Sequence, residues 1–368
     1  MKLSLQRETL LKPLQMVIGV VERKQASPIL ANVLLSTENN NISITGTDLE
    51  VELIGQSALD TVGSSGKLTL PGRKLMDICK ALPENSVIDI YKDKDQIIIC
   101  SGKSRFTLST LPAEDFPNLE QPNFQTSFQL KQTELRNLIQ HCHSSMAQQD
   151  IRYYLNGMLL EITPEHLRTI ATDGHRLAAA TVHMKTPSED RIQVIIPRKA
   201  VLELLKLLGN DEEIITIEVG TNHIRVVSKV YKFTSKLIEG RFPDYERVIP
   251  KKMNKSVSIE RDLLRDALNR VAILCNEKFR GMRFEFRSNA LSIFATNPEQ
   301  DAAQEEIKIT YNDEDLDIAF NVTYLLDVLS VLDNDSITLN FSDANSSLLI
   351  EEVDDNAHYT YVIMPMRI

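Results

Sequence analysis

The sequence predicts an α+β protein of three similar domains, each holding two strand–helix–strands halves with helices on one side of antiparallel sheet. Three observations lead there. A chain of 368 residues is too long for one ordinary core. One pattern recurs three times, at spacings of 124 to 126 residues. The composition, 42% hydrophobic and 25% charged, is that of a globular chain rather than a disordered one.

Each copy opens with a short alternation that turns helical: "KLSLQRETLLKPLQMVIGVV" from Lys2, "SFQLKQTELRNLIQHCHSSM" from Ser127 and "VSIERDLLRDALNRVAILC" from Val257. Leu3 and Leu5, Phe128 and Leu130, and Val257 and Ile259 alternate, and apolar residues then recur at three and four, as on one face of a helix. Pro13 is expected to kink the first of these helices or delay its start. Next come "ISITGTDLEVEL", "LRTIATDGHRLA" and "LSIFATNPEQDA", whose Asp48, Asp173 and Asn297 are spaced by 125 and 124. A Thr-Asp/Asn corner between two strands explains all three, because these side chains bond the backbone of a tight turn.

A second strand-to-helix joint follows at Pro71, Pro197 and Asn321, where Pro is tolerated and Asn caps. The copies close on "RFTLSTLPAEDFPNL", "KFTSKLIEGRFPDYERVIP" and "HYTYVIMPMRI". The strand–helix plan near Leu5 returns near Leu70, so each copy is itself halved. The expected domains are 1–125, 126–254 and 255–368.

Net charge is −10, yet the six expected helices (7–24, 72–82, 131–147, 198–208, 260–275, 321–332) carry a net +6, leaving −16 for the rest. Helices sharing one face would give a positive lining suited to duplex phosphates without base contacts, although Lys and Arg are also ordinary helix formers. Trp is absent, so stacking platforms for single strands are poorly supplied. The four cysteines, Cys79, Cys100, Cys142 and Cys275, lack CxxC spacing, which points to reduced thiols rather than a disulfide frame or zinc site. No apolar run approaches the roughly 20 residues of a membrane helix, and the start lacks a signal-peptide core, so a cytoplasmic protein is expected.

The stretch "RTIATDGHRLAAA" places Asp173, His175 and Arg176 together and fits a hydrolase by residue type. No nucleophile or metal-ligand cluster accompanies them, and the Asp recurs in three copies while the His occurs in one. His141 and His143, two apart on a helix, make a poor metal pair.

The wording of the chain resembles the bacterial DNA polymerase III beta subunit family from end to end. "TGTDLE" (45–50), "SRFTLSTLPAEDFPNL" (104–119), "DIRYYLNGML" (150–159), "ATDGHRLA" (171–178), "TSKLIEGRFPDY" (234–245), "NEKFRG" (276–281) and the closing "MPMRI" carry it. The resemblance implies three clamp domains per chain, helices inside and antiparallel sheets outside, and a ring-shaped homodimer around duplex DNA. It implies a non-catalytic processivity factor without cofactor or metal, partnered by the DNA polymerase III alpha subunit, a clamp loader and other proteins bearing a clamp-binding motif. The absence of GxxxxGK[ST] agrees with a loader that supplies the ATP chemistry. A non-circular, monomeric scaffold that keeps the fold and groove is the alternative.

Residue by residue, the resemblance implies a pocket for partner peptides at Leu155, Thr172, Gly174, His175, Arg176, Leu177, Pro243, Arg247, Val248, Asn321, Tyr324, Ser347, Val362, Met364, Pro365, Met366 and Arg367, with Leu177, Val248, Val362 and Met364 as its apolar floor. Read alone, Leu155, Leu177 and Val248 fit an ordinary core equally well. DNA contacts are implied at Lys24, Arg73, Gln149, Arg152, Tyr153, Tyr154 and Lys199. The family pattern can carry Arg where Lys24 stands, and a lysine keeps the charge but not the planar fork. At the dimer seam, the strand 103–110 is expected to pair across chains, with Phe106 and Leu108 on Ile273 and Leu274, and Lys74, Lys103 and Arg105 facing Glu299 and Glu305.

Overall fold

A computed structural model describes residues 2–21, 27–38, 40–59, 65–117, 119, 123–354 and 356–367. Lys24, expected to contact DNA, lies outside them, as does the terminal Ile368. The chain forms two compact units, 1–133 with 202–237, and 134–201 with 238–368.

Each unit contains one eight-stranded and one four-stranded sheet, all antiparallel. In the first unit the eight strands run in the order Gly66–Pro71, Asn32–Glu38, Asn41–Thr47, Val51–Ala58, Tyr231–Lys236, His223–Val227, Ile214–Gly220, Phe124–Lys131. The four-stranded sheet is Lys2–Gln6, Val87–Asp93, Gln96–Ser101, Ser104–Ser109. In the second unit the eight are Ile192–Pro197, Gly157–Ile162, His166–Thr172, Arg176–His183, Ala357–Ile363, Leu348–Val353, Ser336–Phe341, Lys255–Glu260. Its four-stranded sheet is Ala302–Lys308, Ala290–Thr296, Gly281–Arg287, Leu316–Asn321. Each eight-stranded sheet therefore joins a half of one sequence copy to a half of the next. The two halves left over form the four-stranded sheets.

The alternation read from sequence has its cause here: exposed and buried residues alternate along Lys2–Gln6, with Leu3 and Leu5 on the buried face. Each of these strands runs straight into a helix, Arg7–Val17, Gly72–Ala81, Gln132–Cys142, Arg198–Leu207, Arg261–Val271 and Val322–Leu329. Several helices satisfy their first N–H not with a side-chain cap but with a distant carbonyl: Arg7 N–H donates to Ser86 O (2.8 Å), Arg198 N–H to Asn156 O (3.0 Å) and Arg261 N–H to Asp335 O (2.8 Å). Asn321 does cap, its side chain accepting from Thr323 N–H at 2.9 Å.

Pro13 does not delay the start of its helix. The helix begins at Arg7 and continues past it to Val17. Pro13 lies close against the sheet, where a Cβ on Gly55 would lie 2.8 Å from its carbonyl oxygen. A glycine opposite makes that approach possible.

Candidate functional site

The three corners behave as one local motif. Asp48 Oδ1 accepts from the N–H of Glu50 (2.9 Å) and Val51 (2.7 Å). Asp173 Oδ1 accepts from His175 (2.9 Å) and Arg176 (3.0 Å), and Asn297 Oδ1 from Asp301 (2.8 Å). Asp173 is therefore committed to the turn. His175 lies exposed beside it, and among the described residues its imidazole has no serine, threonine or cysteine hydrogen-bond partner, so the hydrolase reading finds no activated nucleophile there.

All seventeen residues expected in the peptide pocket belong to the second unit. Strand Arg176–His183 pairs with Ala357–Ile363 in a register that sets Leu177 opposite Val362 and Arg176 opposite Ile363. Beyond that pair, Met364 N–H donates to His175 O (2.9 Å) and Met366 N–H to Ala319 O (2.7 Å). The second bond docks the C-terminal segment against the strand Leu316–Asn321, two residues before Asn321, while Ser347 directly precedes Leu348, the partner of Ile363.

The floor is deeper than expected. Leu155, Leu177 and Val362 are buried in a cluster with Ile170, Phe242 and Tyr245. Val248 and Met364 are 39% and 40% exposed, so they are walls rather than floor. Pro243, Arg247 and Val248 sit on the exposed side of the segment whose Phe242 and Tyr245 point inward.

Arg176 holds the other end. Its guanidinium reaches Asp173, Asp327 and the Ser144 carbonyl, and lies 4.3 Å from the centre of the Tyr324 ring. Burial, with Asp173 next in effect, pushes the Tyr324 hydroxyl above its ordinary range. Asp327 and Ser144 were not read from the sequence. Asp327 follows Tyr324 by three residues on one helix and so shares its face, a usable signal; a backbone carbonyl such as that of Ser144 leaves none.

The loop before Leu155 carries Gln149 at φ +57°, exposed Arg152 and Tyr153, and half-buried Tyr154. The Arg152 guanidinium forms two hydrogen bonds to Asp150 (3.0 and 2.9 Å) and its backbone N–H a third (2.8 Å), which together hold that carboxyl down at about 2. Arg73 donates to Val21 O (2.8 Å), and Lys199 is half-buried on the helix Arg198–Leu207.

Ser104–Ser109 and Ala302–Lys308 each stand at one edge of a four-stranded sheet, with Lys2–Gln6 and Leu316–Asn321 at the opposite edges. On the first, Phe106 and Leu108 are half-buried and Lys103 and Arg105 exposed, as is Lys74 on its helix. Near the second, Ile273 is 78% exposed and Leu274 is half-buried. Glu299 is exposed, but Glu305 is already taken within its own chain: Arg270 grips both its oxygens and holds its carboxyl below the ordinary range.

Edge strands that stand where the other copies are joined, and a C-terminal segment bonded to His175 and Ala319, are features of a protein that assembles with others. The chain belongs to the DNA polymerase III beta subunit family, a family of non-catalytic processivity factors: its N-terminal, central and C-terminal domain models match residues 1–120, 129–244 and 246–367. It is 51% identical to the beta sliding clamp of Pseudomonas aeruginosa and 45% to that of Escherichia coli, each across 100% of both chains. A crystal structure of the Pseudomonas aeruginosa subunit superposes with a TM-score of 0.95 at 50% identity, covering 100% of both chains. A Bartonella birtlesii clamp, solved bound to griselimycin, superposes at 0.94 with 36% identity over the same coverage. Among the described residues no helix is long and apolar enough to cross a membrane.

Proposed function

We propose that two copies of this chain close head to tail into a ring that encircles duplex DNA and tethers the replicative polymerase and other replication and repair proteins, without chemistry of its own. The observation that carries the reading is a missing joint. Strand Val51–Ala58 of the first copy pairs with Tyr231–Lys236 of the second, and Arg176–His183 of the second with Ala357–Ile363 of the third. Among the described residues the third copy's equivalent, Ala302–Lys308, pairs only with Ala290–Thr296, and Ser104–Ser109, the first copy's counterpart of the other two closing strands, only with Gln96–Ser101. Pairing them across chains repeats the joint, removes both edges and closes the array. Phe106 and Leu108 then meet Ile273 and Leu274. Lys74, Lys103 and Arg105 meet Glu299 and the rim, Glu305 being shared with Arg270.

Three domains, 1–125, 126–254 and 255–368, would each supply two helices to the hole. Arg73, Gln149, Arg152, Tyr153, Tyr154 and Lys199 face phosphates and sugars there, and sequence-independent charge contacts permit sliding. The groove receives clamp-binding segments of the polymerase III alpha subunit, the clamp loader and other partners, and the protein works in the cytoplasm. The test is retention on a nicked circular plasmid after loading by a cognate loader, before and after one cut. Loss only on linearisation supports topological linkage; retention on both forms leaves surface binding and removes the ring.

A further inference from the structure

The groove wall 243–248 has no strand of its own, and one buried charged hub lies directly beneath it. Glu161, in the strand Gly157–Ile162, is 2% exposed at its side chain. Its carboxylate accepts from Arg191 Nε (2.7 Å), Gln193 Nε2 (2.8 Å) and the Tyr245 hydroxyl (3.0 Å). That hydroxyl in turn accepts from Arg168 Nη1 at 3.0 Å. One phenol is thus fixed by a carboxylate on one side and a guanidinium on the other, while its ring lies in the same cluster as Leu155, Leu177 and Val362. Arg191 also reaches Glu246 (3.1 Å), the residue after Tyr245.

A buried ion cluster is a poor device for stability, since an apolar replacement of the same shape serves as well or better. It is a good device for fixing a position, because hydrogen bonds are directional and packing is not. We propose that Glu161 is a positioning residue for the peptide groove: acting through the Tyr245 hydroxyl, it sets the height of the wall that presents Pro243, Arg247 and Val248. This rests on the groove being the partner site. Loss of the hub leaves the wall folded but free to shift, so a bound peptide dissociates faster.

The test uses the full-length chain and a fluorescein-labelled synthetic peptide copying the C-terminal segment of the cognate alpha subunit. Binding to the unaltered chain checks the groove reading first; no binding there ends that reading and this inference with it. With binding in hand, Tyr245→Phe and Glu161→Ala should each raise Kd about five- to tenfold. Their combination should raise Kd by less than the product of the single effects, because both break the Tyr245–Glu161 hydrogen bond. Glu352→Gln is the control for stability alone, at another buried carboxylate, which accepts from Asp333 and Asn334 N–H. It should lower Tm and leave Kd in place. Wild-type affinity in Tyr245→Phe, multiplying effects in the double variant, or an equal loss in Glu352→Gln would each overturn the proposal. Should Glu161→Ala not fold, Tyr245→Phe against Glu352→Gln decides alone.

Discussion

The same joint is built twice within the chain, and only one of the two makes a groove. At the first, Lys236 N–H donates to Glu50 O (2.8 Å); at the second, Met364 N–H donates to His175 O (2.9 Å). The backbone is alike, but the cross-strand pair is Glu52 with Thr234 at the first and Leu177 with Val362 at the second. Burial raises the Glu52 carboxyl above its ordinary range, and Arg225 donates to Thr234 (3.2 Å), so that site is filled by polar contacts. After the first joint the chain turns back, Leu237 N–H donating to Asn222 O (2.9 Å); after the second it runs on to Ala319. The corner and the strand pairing are general architecture. An apolar pair and an extended tail make the difference.

The largest effect expected from breaking that difference comes from ending the chain at Ile363. Polymerase-tail peptide affinity should fall about a thousandfold, since wall and rim go together, while sedimentation still reports a dimer. Equal affinity before and after would remove the groove assignment. At the joint completed by a second chain, Ile273→Ala with Leu274→Ala should weaken the dimer about a hundredfold and bring monomer into view in sedimentation. An unchanged mass would favour another interface.

The two joints should also differ in their response to pH. His141 is buried, stacked on Tyr359 at 3.7 Å and hydrogen-bonded to the Tyr361 hydroxyl, where the first joint has Phe233. Desolvation depresses the imidazole to about 4 from an ordinary 6.5, partly opposed by Asp333. Between those values the unfolded chain binds a proton that the folded chain refuses, so this contribution is complete above pH 6.5 and lost as pH falls to about 4. It amounts to about 3 kcal/mol. Melting from pH 7 to 4 should therefore fall more steeply for the native chain than for His141→Gln, and parallel slopes would refute the assignment.

The smallest expected effect lies at the turn itself. Gly174 has φ +88°, and its counterpart Leu49 has φ +77°. Gly174→Ala should cost about 1 kcal/mol and Leu49→Gly should cost nothing or gain a fraction of that, read as opposite shifts in Tm. Like signs would mean that contacts, such as Arg152 Nη2 lying 3.0 Å from the new Cβ, outweigh backbone strain.

Whatever depends on neighbours in sequence was legible in sequence. Asp48, Asp173 and Asn297 could be read as corners because such a turn closes within four or five residues. The strand-to-helix joints at Pro71, Pro197 and Asn321 follow from local backbone preferences, and the triple spacing exposes the repeat. Pro13 was misread for the same reason: its local cost is visible, but the Gly55 backbone that it packs against is far along the chain. The first helix likewise ends at Val17, earlier than its apolar pattern suggests. Leu155, Leu177 and Val248 looked alike as apolar residues; burial separates floor from wall, and burial depends on every strand of the sheet at once. Which halves join into eight-stranded sheets, that Arg176 is held by Asp327 and Ser144, and that Glu161 lies under Tyr245 were decided by tertiary structure alone. Contacts between residues from 32 to 151 positions apart leave no period in the sequence, because distance along the chain carries no information about distance in space.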